Sequence, residues 1–448
     1  MDVGFLDFVI PPDCLSLYWK QILQDFPQHP LHGREQQWKR AIPIVLWGDE
    51  GTKGNNSWML FSWMVDVSLV RTDSKASRHI IFSFPVSRYA INRSQSENLS
   101  LQAFFRAAVN DLNELARTGI CNENDGQVYT FHTVSLKGDL KFLGQALNLT
   151  RHPGCEEVCF RCPATMGRGD FNMVYTNLEG EWRTRELGEN PWLAEPALFN
   201  LDGFCLTMVS VDWMHCFNLG TCRDLVGAAL KILLKDRQYF DGGNLETRFA
   251  TLNRELRAFL KSEGLSMHLK HIKKSNLVWR NDSCPELRCS ANDAAVTLRF
   301  LSQKLARKPS PDPYGGLSAC VWVAEQLNAT ILRANIFLTE AEAHQISLLG
   351  SSFLRMYLSL ANIAQDQKAL LFKLRPKYHF IQHMVLDASG RPSGRSPGWD
   401  ANFMDEDYVK QTLKILKGLH PATAAHNVLK RQVTYLKFAM QKHRAKLG

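Results

Sequence analysis

Two short clusters in this chain carry side chains suited to a metal ion: Cys159-x-x-Cys162 and His379-x-x-x-His383. A CxxC turn converges two thiolates, and histidines at i and i+4 share one face of a helix. Pro376 is fitted to open that helix as its first residue, where a missing N–H leaves nothing unsatisfied. Together the pairs predict one zinc ion in a closed four-ligand site, and such a site is structural rather than catalytic. His152 and Cys155 are nearby competitors, since a local HxxCxxxCxxC knuckle would use them instead.

Acidic residues lie outside both clusters, and three of them form a candidate set for phosphodiester chemistry: Asp49, Asp139 and Glu406. Cleaving or joining DNA strands needs hard cations held by carboxylate oxygens, two ions about 3.5–4 Å apart. In this assignment Asp49 bridges two Mg²⁺ or Mn²⁺ ions, Asp139 completes the shell of one and Glu406 that of the other. Each acid also has a plainer reading. Asp in Gly-Asp-x-Gly commonly serves a turn, which would explain Asp49. Glu342 competes with Glu406 but is accounted for by a Thr339-x-x-Glu342 capping box, and Glu325 by a solvated face. Asp405, Glu406 and Asp407 together would favour a helix amino terminus through its dipole.

The elements that must position these residues follow from the hydrophobic pattern. AIPIVLW at 41–47 reads as a buried strand ended by Gly48-Asp49-Glu50-Gly51, with hairpin partner 58–70 and a third strand at 79–87. A helix follows over 99–117, then a strand at 127–136, with TMVSVDWMH at 207–215 as a fifth. The fold class is α/β, and the order is that of an RNase H-like mixed sheet, in which the first and fourth strands are neighbours. Asp49 and Asp139 would then meet at strand ends. From 217 to 370 the pattern turns helical, at 219–235, 245–262, 291–307, 317–334 and 340–364, an all-helical insertion into the core. The domain reading is a lead at 1–40, first core part at 41–216, insertion at 217–370 and returning core helices at 371–448. A flexible loop is expected at 391–399 and a further helix from about 404. A zinc held by both pairs would tie the two ends of the insertion together.

Charge and cysteine usage bound the partners. The net charge is +9, and the 408–448 segment carries Lys and Arg but no Asp or Glu. Lys410, Lys414, Lys417, Lys430, Arg431 and Lys437 are therefore candidate contacts to a DNA backbone, against the plainer reading of a solvated helix face. Eleven cysteines without a secretory leader suit a reducing compartment. The longest aliphatic run, 225–234, is broken by Lys231 and too short for a bilayer, so no membrane partner is expected.

The ordered set GD(49)E, GD(139)LKFL, C(159)xxC, D(212)xxH, PKxH(379)xxxH and DE(406)D resembles the DDE transposases of the CACTA and Plavaka-like type, and also the V(D)J recombinase core. The resemblance implies a nuclear, metal-dependent transposase that nicks transposon ends and joins the freed 3′-hydroxyl to target DNA. It implies double-stranded DNA as partner, assembly as a dimer or more on paired ends, and a core-supporting role for Asp212 and His215. Trp213, Trp322 and Trp399 are candidates to stack on a flipped base. Forty-eight residues precede Asp49 and hold no paired Cys/His finger or clear helix-turn-helix, whereas full-length transposases usually carry an end-recognition module there. Two other readings stand beside this one: a catalytically inactive, transposon-derived DNA-binding protein, and another RNase H-like nuclease.

Overall fold

The computed structural model describes residues 11–447 except 54–55, 69–72, 96, 123–124, 168, 176–179, 184, 186, 281, 309–310, 312, 418 and 420. The chain divides into a sheet unit of residues 1–152, 187–212 and 402–448 and a helical unit of residues 153–186 and 213–401. In chain order the main elements begin with α1 (Pro12–Ile22), β1 (Ala41–Lys53), β2 (Asn56–Val65), β3 (His79–Pro85), α2 (Leu99–Thr118), β4 (Val128–Gly138), α3 (Leu140–Ala146) and β5 (Val209–Val211). There follow α4 (Cys222–Lys235), α5 (Leu245–Glu263), α6 (Ala291–Arg307), α7 (Leu317–Arg333), α8 (Glu340–Asp366), α9 (Pro376–Gly390), α10 (Phe403–Leu416) and α11 (Pro421–Leu447). The protein is thus mixed α/β, with one mixed sheet, a two-stranded antiparallel pair of Ile91–Asn92 with Glu97–Asn98, and many helices.

In the sheet unit the strands run in the order β3-β2-β1-β4-β5. β2 is antiparallel to β1 and to β3, whereas β4 is parallel to β1 and β5 parallel to β4. The alternation of side chains along β1 sorts two cores. On one face Gly48 lies under the ring of Phe142 from α3, and Phe142 joins Phe61 and Phe105 of α2 in an aromatic cluster. On the other, Trp47, Trp58 and Leu60 pack against Tyr408, Val409 and Leu413 of α10. From the described part of the 1–40 lead, Trp19 on α1 is fully buried and its indole N–H donates to the Ala41 carbonyl at 2.8 Å.

Several strand boundaries differ from the sequence expectation: the strands expected over 58–70, 79–87 and 127–136 are Asn56–Val65, His79–Pro85 and Val128–Gly138, with 69–70 outside the described residues. β1 does not end at Gly48 but continues antiparallel to β2 as far as Lys53. Its glycines are required by close approach rather than by a turn, since a Cβ on Gly51 would sit 2.6 Å from Leu413 and Val409. The expected fifth strand at 207–215 shortens to Val209–Val211, and a π-helical stretch, Met214–Thr221, follows it.

In the helical unit α6, α7, α8 and α9 pack in sequence, and α8 approaches α9 so closely that a Cβ on Gly350 would lie 2.4 Å from Val385. α8 is long and apolar enough to cross a membrane by length and composition alone. Its buried residues Phe353, Leu354 and Tyr357 belong to the unit's interior. The 153–186 loop and the 371–401 segment, expected to belong to the core strands and helices, cluster with these helices instead. The expected flexible loop at 391–399 is packed: Ser393 and Ser396 are fully buried, and Arg395 grips Asp400 at 2.7 and 3.0 Å.

Candidate functional site

α9 starts at Pro376 as expected, and its residues from Tyr378 to Val385 are all buried. A helix buried all round must satisfy its polar side chains internally, and His379, Gln382 and His383 are such groups. Gln382 donates to the Met173 carbonyl at 3.1 Å. The two histidines turn their Nε2 atoms to each other at 3.0 Å, with Cys162 Sγ 3.2 Å from His379 and Cys159 Sγ 3.3 Å from His383. All four ligand atoms lie within 4.8 Å of one another, and all four residues are buried.

The donor set can be tested against a metal. Zinc bonds of about 2.3 Å to sulfur and about 2.0 Å to nitrogen put tetrahedral ligands about 3.3 Å apart for two nitrogens and about 3.5 Å apart for sulfur and nitrogen. The 3.0, 3.2 and 3.3 Å separations fall within a few tenths of an ångström of these values, so the cluster can hold a metal such as zinc. Burial pushes the thiols up, while the bond from Cys162 and the neighbouring imidazoles bring Cys159 well below its ordinary range and leave Cys162 raised. One thiolate among buried neutral groups is what a cation would stabilise. Cys155 and His152 are not part of this cluster.

Two features around the cluster were not anticipated. Arg161, inside the CxxC turn, forms a bidentate pair with Asp387, one helical turn beyond His383, at 2.7 and 2.8 Å. Burial raises the Asp387 carboxyl, but Arg161 outweighs it and holds it at about 2. Trp182 is fully buried and sets its ring edge-on to His379 at 4.5 Å and to His383 at 5.4 Å. The basic residue in C-F-R-C and an acid four positions after the second histidine were the available signal; nothing local marked Trp182.

The acids belong to the sheet unit. β1 and β4 pair in parallel with Gly48 opposite Gly138, so Asp49 and Asp139 each follow the matched pair by one residue on neighbouring strands. Phe142 explains both glycines, because a Cβ would lie 2.1 Å from its ring at Gly48 and 2.3 Å at Gly138. Asp139 caps α3, accepting from the Phe142 N–H through Oδ1 at 2.6 Å. Asp49 pairs in register with Leu60, which faces α10, while Glu50 on the opposite side bonds Lys141 of α3.

Asp405, Glu406 and Asp407 open α10 and diverge. Asp405 is fully buried and accepts from Arg78 Nε at 3.0 Å and Lys137 Nζ at 2.7 Å. Burial draws its carboxyl upward, yet the two cations hold it at about 2. Asp407 accepts from the Ser74 hydroxyl and the Gln411 amide, both at 2.6 Å. Glu406 keeps 28% side-chain exposure, with Lys410 Nζ at 3.8 Å. Among the described residues, the Cys/His cluster is the one group of three or more side chains that could hold a metal; Asp49, Asp139 and Glu406 do not form another.

The other expected site residues are distributed as follows. Asp212, buried at the end of β5, accepts from the Asn402 N–H at 3.0 Å and so anchors the entry to α10. His215 lies on the π-helical stretch of the helical unit. Lys410, Lys414, Lys417, Lys430, Arg431 and Lys437 are all exposed, and the first three form one stripe along α10. Trp213 is a core residue, stacked on Phe217 at 4.7 Å with its indole N–H donating to Asn328, whereas Trp322 is 51% exposed. Glu342 forms the expected capping box with Thr339. No protein-family model matches the chain, and no curated protein matches it by sequence.

Proposed function

We propose that this chain is the catalytic core of a DNA transposase of the DDE type, with its sheet an RNase H-like core and its Cys/His cluster a structural zinc site. The observation that carries the reading is the parallel register of Gly48 with Gly138, which sets Asp49, within β1, beside Asp139, the first residue past β4. Glu406 stands at the start of α10, whose Val409 and Leu413 pack on the same face of β1 as Trp47. Of its acidic neighbours, Asp405 and Asp407 are engaged by groups of other elements, whereas Glu406 is partly exposed with Lys410 at 3.8 Å.

Asp49, Glu406 and the Oδ2 oxygen of Asp139 would hold two Mg²⁺ or Mn²⁺ ions, which supply the Lewis-acid chemistry of phosphodiester cleavage. The chain's own residues bind and orient: the exposed cation stripe of α10 meets the DNA backbone, and the buried Arg78–Asp405–Lys137 triad fixes α10 against β4. Asp139, held by its bond to the Phe142 N–H, keeps one orientation without needing a metal. Assembly on paired ends would bring two or more copies together.

That the three carboxylates form no metal-ligand group among the described residues, and the ion pair from Lys410 to Glu406, favour a second reading, a protein that keeps this fold to bind DNA without cutting it. One experiment divides the two. Purified protein is incubated with Mn²⁺ and DNA carrying the inverted repeats that flank its coding sequence, and nicked and joined products are counted. The transposase reading expects products that disappear in Asp139→Asn while DNA binding persists. Binding without products from the wild-type protein would leave only the second reading.

A further inference from the structure

A cavity of about 690 Å³ opens on the sheet unit, away from the acids, between the 30–40 segment, the end of α2 and the start of β4. Three guanidinium groups, from Arg34, Arg40 and Arg117, line it, with one carboxylate, that of Asp202. Arg117 takes both Asp202 oxygens at 3.0 Å, so that pair is neutral. Arg40 donates at 2.7 Å to the uncharged Gln127 amide, and among the described residues no carboxylate pairs with Arg34 or Arg40. Among the described residues, two cations without a carboxylate partner thus face one concavity. Its inner wall adds Thr130 and the buried ring of His132, bonded to each other at 2.9 Å. No apolar anchor dominates.

We infer that this cavity is a binding site for a phosphoryl group. Guanidinium forks match phosphate oxygens two by two, and planar, weakly hydrated Arg is the cation suited to that task. The volume suits a ligand larger than inorganic phosphate, and a nucleotide unit with its phosphate is within the range of such pockets. The phosphate can come from a nucleic-acid strand crossing the cavity or from a free nucleotide. The inference does not depend on the acids acting as catalysts.

The test uses the whole chain without added Mg²⁺ or Mn²⁺, so that binding is scored apart from cleavage. Binding of a labelled oligonucleotide and of a nucleoside monophosphate is measured for wild type, for the Arg34→Gln/Arg40→Gln double variant and for Asp202→Asn. Arg34 and Arg40 are exposed, and unchanged hydrogen exchange of peptides from the sheet unit confirms that the double variant is folded. The double variant should lose roughly tenfold in affinity, the weight of a charge-assisted bond. Its slope of log affinity against log salt for the oligonucleotide should flatten by about 0.9 for each phosphate that the two arginines no longer neutralise. Asp202→Asn releases Arg117 and should strengthen binding roughly two- to fivefold. Loss confined to the oligonucleotide identifies a strand phosphate, and loss that includes the monophosphate identifies a free nucleotide. Unchanged affinity for both ligands in the double variant, or weaker binding in Asp202→Asn, would overturn the assignment.

Discussion

Replacing Asp405 by Asn should destabilise the sheet unit by several kcal/mol, although the residue lies beside a candidate active site rather than in it. The side chains of Asp405, Arg78 and Lys137 are 0%, 2% and 1% exposed, so two cations depend on one carboxylate in a dry interior. A lower bound comes from the carboxyl's own titration. Its value is held at about 2 against an ordinary 3.8, which at about 1.36 kcal/mol per unit is on the order of 2–3 kcal/mol at neutral pH. An upper figure comes from removing one partner of a buried pair, which costs about 3–5 kcal/mol because the remaining charge stays buried. The expected loss lies between these values.

The sign with pH follows from the depressed value. The contribution is complete above the ordinary carboxyl range and is lost as pH falls from about 4 through about 2, where the folded carboxyl takes up its proton. Wild type should therefore lose this part of its stability on acidification and Asp405→Asn should not. Because the chain forms two units, a single unfolding midpoint would mix them. Hydrogen exchange of peptides from β4 and α10 reads the local opening free energy directly. Asp407→Asn removes the same charge two residues away, where the partners are a hydroxyl and an amide, and should cost about 1 kcal/mol. Equal, small losses for the two variants would refute the claim that the triad fastens α10 to β4.

Much of the architecture was legible because its signals are local. The helix expected over 291–307 is Ala291–Arg307, and the one expected from Pro376 starts there, since caps and apolar periodicity lie within a few residues. The four residues of the Cys/His cluster were legible for the same reason: a CxxC turn and an i, i+4 pair each bring their own two donors together. The neighbouring placement of Asp49 and Asp139 required only the strand order, which three strands, a helix and a fourth strand implied.

What escaped the sequence reading depends on distant partners. Asp405 looked like one of three acids at a helix start, but its meaning comes from Arg78 and Lys137, 327 and 268 residues away. Gly48-Asp49-Glu50-Gly51 has turn composition, yet the strand runs through it because Phe142 and Leu413 occupy the space that side chains would need. RPSGRSPGW has the composition of a mobile loop and is instead held by a buried ion pair to Asp400, just outside it. In each case tertiary packing overrode local propensity.

Two further perturbations test the metal centre and the glycine pair. The purified protein should contain one zinc per chain by elemental analysis, and Cys162→Ser or His383→Ala should lose it together with exchange protection in α9. Full protection in metal-free protein would show that the cluster is held by packing alone. For the glycines, Gly48→Ala and Gly138→Ala should each cost about 1–3 kcal/mol by overpacking against Phe142. Their rescue by the smaller Phe142→Leu should differ. The three nearest atoms to a Cβ on Gly48 all belong to Phe142, whereas a Cβ on Gly138 also meets the Gly48 carbonyl oxygen at 2.9 Å. Trimming the ring therefore relieves the first clash and leaves the second partly in place, because backbone paired in the sheet cannot yield as a side chain can. In double-mutant cycles the coupling to Phe142 should be larger for Gly48 than for Gly138. Equal coupling would mean that Gly138 answers only to the ring, and that the spacing of β1 and β4, which sets Asp49 beside Asp139, does not depend on a glycine there.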